Sequence, residues 1–442
     1  MRDHLQRHIQ TYIVFLLWGI VGWFSSPAAM GLVGLSMILF WRSERFLEMF
    51  MGFLLVLVFS DNLDHFTFAK SFKNLYIVFL AGVVLTGRHR FAPLPALHKG
   101  FLPFIIIAFI GLMYAGNVMV SLQKTISYLL LLVVVPSFIA IIYREKGKEG
   151  LKDLAWLMIM ITIFGILFRY VKPEFSYLGG RFRGLFGNPN GVGIFLFLSF
   201  AFFFVLQTIF PLLFSRNEKR FFFLVFAYAL LICGSRTAIL SVVLLLLFSR
   251  LYRFSPFIGF LILVGITLSL EYIFQNMVFL IQTFGLEEYF RLNTLEEGSG
   301  RFIAWGFAWQ KIQEFFFIGG SMGNDEFIMR QNYGILARLG HQGGVHNSYL
   351  TLWFDVGVIG LVFYFTNFIR LFIQAAKKNR IAFPVLFATL FSITYESWLA
   401  GSLNPFTIVL FSIITILVVP EIVPETEEEP VEDLGTTPLP VS

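Results

Sequence analysis

Apolar runs of roughly 17–25 residues, each long enough to cross the ~30 Å hydrocarbon layer of a bilayer, follow one another along nearly the whole chain. They are continuous rather than alternating, as in Tyr128–Tyr143 and Phe257–Leu270. Each run therefore closes its own backbone hydrogen bonds as a helix, and no strand barrel is implied. The runs fall near residues 11–24, 28–41, 46–60, 73–87, 101–116, 124–143, 154–170, 190–212, 221–234, 236–249, 255–273, 347–372, 382–398 and 404–420. The pattern predicts an all-α fold, a polytopic transmembrane helical bundle of about 12–14 spans. Two stretches between the runs stand out, a short one over 172–190 and a polar block over about 274–346. A connection of some 70 residues is far beyond the usual median of about four to six, so the block is expected to be functional.

Domain organisation follows from the same pattern. One membrane domain covers 1–420, with 274–346 as its large loop, and the Glu- and Pro-rich segment 421–442 (PETEEEPVED at its centre) reads as a disordered acidic tail in the cytoplasm. Residues 1–30 have the layout of a secretory signal, with a basic start, an apolar run and small residues at Ser25–Ala29. Further spans follow at once, so the segment is read as an uncleaved first helix. Within the loop, Phe302, Trp305, Trp309 and Ile312 recur at helical spacing, which predicts a helix over 302–317 lying at the membrane surface. Those aromatic residues suit interfacial anchoring, with sugar stacking as the alternative.

Charge placement sets orientation. The chain of 442 residues is 57% hydrophobic and 14% charged, with a mean hydropathy of +0.78 and a pI of 9.3. A basic pI suggests nucleic acid only until the basic residues are located. With the N-terminus in the cytoplasm, every alternate loop is basic: Arg42/Arg45, Arg144/Lys146/Lys148/Lys152, Arg216/Lys219/Arg220 and Lys377/Lys378/Arg380 among them. That is the positive-inside rule, and it leaves no case for a nucleic-acid partner. The inside loops take 20 of the 33 Lys and Arg, so 13 lie outside or within the bilayer and need another reason. Lone Cys233 excludes an intrachain disulfide and a multi-cysteine metal site. No His, Asp or Glu set shows metal-ligand spacing, and Asp61, Asp64 and His65 are too sparse to argue from.

Several unexplained cations sit in distinctive local sequence. Arg181 and Arg183 lie in GGRFRGLFGNPNG, where Gly turns and Asn188-Pro189-Asn190 lead straight into a span. Two guanidinium groups at headgroup depth suit a phosphate or pyrophosphate, whose oxygens match the planar fork of donors. Lipid headgroups are the alternative ligand. Arg236, in Cys233-Gly234-Ser235-Arg236-Thr237, joins two apolar runs with almost no loop and must face a polar cavity or an ion-pair partner. Arg301 follows Gly298-Ser299-Gly300 at the start of the loop helix, where free N–H groups also favour anions. Gly319-Gly320-Ser321-Met322-Gly323-Asn324 has no Walker lysine and is read as a tight turn. His346 closes the loop at the membrane boundary, where an imidazole can accept a hydroxyl proton near neutral pH. Glu396 is a carboxylate in an apolar run, with function or pairing to Arg236 or Arg181 as its two readings.

Taken together, Arg181-x3-Leu185, Phe186-Gly187-Asn188-Pro189-Asn190, Ser235-Arg236-Thr237, Gly300-Arg301 with Trp305, and His346-x10-Gly357 resemble the O-antigen ligase and polymerase superfamily of bacterial envelope enzymes. The resemblance spans 181–357 and implies transfer of a glycan from undecaprenyl pyrophosphate to an acceptor hydroxyl at the periplasmic face of the bacterial inner membrane. The reaction it implies is inverting and needs no metal or other cofactor. By position, Arg181 and Arg301 would hold the pyrophosphate and His346 would serve as base. Arg183, Arg236, Asn188, Asn190 and Glu396 are candidate substrate-binding residues. The expected partners are the lipid-linked donor, a lipid A core or growing glycan as acceptor, and membrane lipids. A ligase is the leading expectation and a polymerase with the same donor the alternative. A transporter of lipid-linked sugar is the competing class, and an oligosaccharyltransferase fits less well without a large C-terminal domain.

Overall fold

The computed structural model describes residues 2–62, 65–87, 90–91, 94–251, 255–266, 268–269, 300–341 and 343–422. Helices cover part of every apolar run. They are α1 (Arg2–Phe24), α2 (Ser26–Arg42), α3 (Phe46–Asp61), α4 (Thr67–Thr86), α5 (Pro95–His98), α6 (Leu102–Gly111), α7 (Val118–Phe168), α8 (Pro173–Ser176), α9 (Pro189–Ile209), α10 (Arg216–Cys233), α11 (Arg236–Leu251) and α12 (Pro256–Ile266). After the large loop come α16 (Ser348–Lys378), α17 (Ala382–Tyr395) and α18 (Pro405–Val418). Residues 270–299 and 423–442 lie outside the described residues, and with them Arg291 and nearly all of the acidic tail.

Burial follows what a bilayer demands. Every residue of α3 from Phe46 to Ser60 is buried, which makes this helix the centre of the bundle. On α1 the large residues Ile9, Ile13, Leu16, Leu17 and Ile20 are exposed along one face. That stripe is tolerable only against lipid. Four helices, α4, α7, α9 and α16, are long and apolar enough to cross a membrane by length and composition. The fold is an all-α polytopic membrane bundle.

Helix α7 runs for 51 residues, about 76 Å at 1.5 Å per residue, more than twice the hydrocarbon thickness. Its backbone leaves helical geometry at Gly147 (φ 59°, ψ −151°), so the runs 124–143 and 154–170 are two crossings joined by a sharp turn. Near one end Lys124 pairs with Glu326 at 2.7 Å, and near the other Gly165 packs against Gly184. Both partners lie on the face opposite the basic loops. At the basic face Arg144 pairs with Glu421 at 2.7 Å, so the start of the acidic tail shares a side with the Arg144 loop.

The opposite face is organised by asparagine caps. Asn117, Asn188, Asn347 and Asn404 each accept a hydrogen bond from the backbone N–H three residues on, at 3.2, 2.7, 3.0 and 2.8 Å, and open α7, α9, α16 and α18. Pro189 and Pro405 follow two of them, where the missing N–H costs nothing and the fixed φ suits the first turn. Asn188 therefore has a structural role as a cap, whatever else it touches.

Helix α16 also breaks, at Gly357 (φ 66°, ψ 178°). The break leaves amides without helical partners, and the large loop supplies acceptors. Val358 N donates to the Phe316 carbonyl at 2.8 Å and Ile359 N to that of Phe317 at 3.2 Å, while Gly320 N donates to the Phe354 carbonyl at 3.0 Å. A β-carbon at Gly357 would overlap the Phe317 carbonyl, and one at Gly319 (φ 79°) would overlap the Asp355 carbonyl. Asp355 accepts Gly323 N at 2.8 Å and Asp325 N at 3.1 Å. The glycine-rich sequence is thus a tight turn, as expected, and it docks the loop on the broken helix. Replacing Gly357 by alanine is expected to cost more than the about 1–3 kcal/mol of a strained φ alone, because the clash is with backbone. The check is a thermal unfolding midpoint in detergent, and an unchanged midpoint would contradict this docking.

Candidate functional site

From Gly300 onward the large loop has its own small core. It contains α13 (Arg301–Ile312), α14 (Asn324–Gln331) and α15 (Tyr333–Arg338). Ala304, Ala308 and Ile312 are fully buried and pack with Met329, Leu336, Val345 and Phe354. The surface helix is present, and on the expected stripe Phe302 and Trp309 are 54% and 46% exposed while Ile312 is fully buried. Alanines at every fourth position let the helix backbone approach α16 closely, which bulky rings would prevent. The aromatic residues are left facing outward, consistent with a membrane interface.

Glu396 is where Arg301, Asn190 and His346 meet. It follows α17 in extended conformation (φ −144°, ψ 145°), and its backbone carbonyl accepts Ser348 Oγ at 2.7 Å, which ties it to the first turn of α16. Arg301 Nη2 donates to Glu396 Oε1 at 2.8 Å, and Asn190 Nδ2 donates to the same oxygen at 3.1 Å. The second oxygen, Oε2, lies 3.6 Å from His346 Nδ1. The carboxylate is 8% exposed, Arg301 21% and His346 33%. The buried acid is thus covered by partners that keep an open side. Glu396 makes an ion pair with Arg301, which was not among the pairings expected for it, and Arg181, which was, is linked to it through Asn190. Residues remote in sequence on three chain segments made that pairing invisible without the fold. Tyr395 adds its ring 6.0 Å from the Arg301 guanidinium.

Arg181 extends this network. Its Nη2 donates to Asn190 Oδ1 at 3.1 Å and to the Gly234 carbonyl at 3.0 Å, and its Nε donates to the Cys233 carbonyl at 3.0 Å. Gly234 is the left-handed cap of α10 (φ 57°), so the guanidinium binds the free carbonyls at a helix C-terminus, where a cation is favoured. Arg236 opens α11 two residues later and is half-buried. Asn190 thereby bridges Arg181 to Glu396. The segment carrying both is locked by a short hairpin, β1 (Tyr177–Leu178) with β2 (Arg181–Phe182), and by Asp61, whose Oδ2 accepts Gly187 N at 2.9 Å.

Arg183 is placed elsewhere. It is 6% exposed, donates to the Phe175 carbonyl at 2.7 Å and the Gly187 carbonyl at 3.2 Å, and lies over the Phe175 ring. These contacts brace the turn. Other surplus cations are likewise structural: Lys124 holds Glu326, Lys73 donates to the Leu403 carbonyl at 3.1 Å, and Arg169 donates to Tyr170 and Tyr228 at 2.6 Å each.

His346 stands in the left-handed region (φ 52°), rare for a residue with a side chain. Its turn is held by His341, which is 2% exposed, contacts the Gly344 carbonyl through Nε2 at 3.0 Å and meets the His346 ring edge-on at 5.9 Å. Burial, reinforced by the nearby His346, holds the His341 imidazole below its ordinary pKa. Sequence reasoning missed His341 and Ser348. Neither stands out by type, and their value lies only in what they position.

Fold and site together define a helical membrane protein with a half-open carboxylate–arginine–histidine cluster at one end of its bundle. Residues 221–365 match the family model described as O-antigen ligase, and this match supports membership of the O-antigen ligase and polymerase superfamily. Members of that family are glycosyltransferase-like enzymes working on lipid-linked glycans in a membrane context. No curated protein matches the chain. The matched segment includes Arg236, Arg301 and His346, while Arg181, Asn190 and Glu396 lie outside it.

A double-mutant cycle tests the central pair. Arg301→Gln, Glu396→Gln and the double variant should show an interaction energy between about 0.5 and 3 kcal/mol in unfolding midpoints, as expected for contacting charges. Additive effects within about 0.3 kcal/mol would mean that the pair does not form.

Proposed function

We propose that the chain is an O-antigen ligase-like glycosyltransferase that moves a glycan from undecaprenyl pyrophosphate to an acceptor hydroxyl, with a lipid A core as the acceptor. The observation that carries this reading is the convergence of Arg301, His346 and Asn190 on Glu396 at one end of an apolar bundle. In the reaction, the acceptor oxygen attacks the anomeric carbon of the donor sugar. The bond from that carbon to the pyrophosphate oxygen breaks, the configuration inverts, and undecaprenyl pyrophosphate leaves with the electron pair.

His346 takes the acceptor proton in this scheme. Glu396 beside Nδ1 favours the tautomer with its proton there, which leaves Nε2 as the base. Gly343 supports the assignment: a β-carbon on it would sit 2.9 Å from Nε2, so glycine keeps the space beside that nitrogen open. Arg301 commits Nη2 to Glu396 and offers its remaining donors to the leaving pyrophosphate. Arg181 adds positive charge through the Asn190 bridge, and Arg236 is a further candidate. Preorganised donors of this kind are worth roughly 3–4 kcal/mol each where charge develops.

An apolar crevice of about 500 Å³ lies along α1, α3 and α7 and reaches Lys172 and Leu185. Leu185 belongs to the Arg181–Asn190 segment, so a polyprenyl tail in the crevice would bring its pyrophosphate toward those arginines. The positive-inside pattern favours the periplasmic face of the inner membrane for the site. A polymerase joining repeat units would use the same donor half and differ in acceptor. Loss of a ligase leaves long chains on the carrier lipid, whereas loss of a polymerase leaves single repeats on the core.

His346→Ala should lower transfer about 10²–10⁴-fold while retaining donor binding, measured with purified protein and radiolabelled lipid-linked glycan. Unchanged turnover would remove the histidine from the mechanism. Met160→Trp, which fills the crevice, is expected to raise KM for a long-chain donor more than for a short-chain analogue. Equal effects on both donors would place the tail elsewhere.

A further inference from the structure

A second cluster lies at the opposite face, away from the proposed site. His4 and His8, one turn apart on α1, converge on Asp153 in the second half of α7, and all three side chains are buried. His4 Nδ1 lies 2.7 Å from Asp153 Oδ1 and His8 Nε2 lies 2.9 Å from Asp153 Oδ2. Taking one ligand atom from each of the three residues, all fall within 4.8 Å of one another.

The outward nitrogens decide how the cluster is read. His4 Nε2 meets Tyr12 Oη at 2.8 Å. His8 Nδ1 is buried with no hydrogen-bond partner, and it points at Glu48, whose Oε1 is 3.8 Å away and whose Oε2 is also buried without a partner. If each imidazole is neutral and gives its single proton to Asp153, the lone pair of His8 Nδ1 faces a buried carboxylate, which is unfavourable. A cation between the two imidazoles and Asp153 reverses this. His4 Nδ1 and His8 Nε2 then become lone-pair donors, and the ring protons move to His4 Nε2, facing Tyr12, and to His8 Nδ1, facing Glu48. An oxygen partner behind each histidine is the outer-shell arrangement that fixes tautomer and orientation in metal sites.

We propose that His4, His8 and Asp153 form a binding site for one divalent transition-metal ion, zinc being the best match to two imidazoles and a carboxylate. Tyr12 and Glu48 are its positioning residues. Trp156, stacked on the His4 ring at 5.5 Å and 20°, holds that ligand in plane. Nearby cations do not occupy the position. Arg45 is 3.0 Å from Glu48 Oε1 and Lys146 3.6 Å from the same oxygen, so both act on the outer carboxylate. Arg7 is 3.7 Å from Asp153 Oδ1 and equally 3.7 Å from Glu149, with its side chain 47% exposed. It can move toward solvent when the metal enters. Bound metal would staple the first helix to α7, a structural role separate from glycan transfer. Sequence spacing hides the site because Asp153 is remote from the histidine pair.

The test uses the full chain in detergent, stripped with a chelator and titrated with Co²⁺ and then Zn²⁺. Wild-type protein should bind one equivalent of Co²⁺ with a visible ligand-field absorption, and one equivalent of Zn²⁺ should abolish that band. His8→Ala and Asp153→Asn should each lose the band, whereas His346→Ala should keep it. Absence of a saturable one-equivalent signal in the wild type would overturn the proposal without recourse to any variant. A signal that survives both His8→Ala and Asp153→Asn would overturn it as well.

Discussion

A carboxylate set at the end of an apolar bundle is costly unless it is paired, and the Glu396 cluster is arranged around that constraint. Glu396 is held by its own backbone to Ser348 at the start of α16 and by its side chain to Arg301 at the start of α13. Asn190 at the start of α9 reaches the same oxygen. Three helix N-termini are therefore gathered round one acid, and the histidine that precedes α16 is carried to it. The pairing brings an arginine and an imidazole to the two oxygens of one carboxylate.

The large loop is fixed by a second device that acts through backbone. Gly357 breaks α16, and the exposed amides take carbonyls from Phe316 and Phe317. Asp355 then holds the glycine-rich turn through two amides. Burial pushes the neighbouring Asp325 up to about 6. The loop is consequently a packed part of the bundle from Gly300 to His346, with the arginine at one end and the histidine at the other.

Much of the fold was legible in the sequence. The apolar runs, the Asn-Pro starts and the glycine-rich turn each carry local physics, and each corresponds to a helix, a cap or a turn. The double crossing within α7 was also visible, because Arg144–Lys152 interrupts the apolar pattern. The candidate site was legible as a set of residues but not as a network. Arg181, Asn190, Arg301, His346 and Glu396 could be named from type and position, yet the Arg301–Glu396 pair joins residues 95 apart. Arg183 was expected to assist Arg181 at the substrate because the two sit two residues apart beside a turn. β2 ends at Phe182, and the turn after it buries Arg183 against Phe175, while Arg181 reaches the C-terminal carbonyls of α10. On α13 the packing stripe of Ala304 and Ala308 was not legible: hydrophobicity marks large residues, whereas close helix approach selects small ones.

Glycosyl transfer at this cluster, as proposed, differs from movement of an intact lipid-linked sugar in that pyrophosphate is the leaving group. The most direct measurement reconstitutes the purified chain in vesicles with an undecaprenyl-pyrophosphate glycan and acceptor in the presence of a chelator, and quantifies both products. The expected result is one undecaprenyl pyrophosphate released for each glycan joined to the acceptor. Movement of the donor across the bilayer with its sugar–pyrophosphate bond intact, and no release, would contradict it.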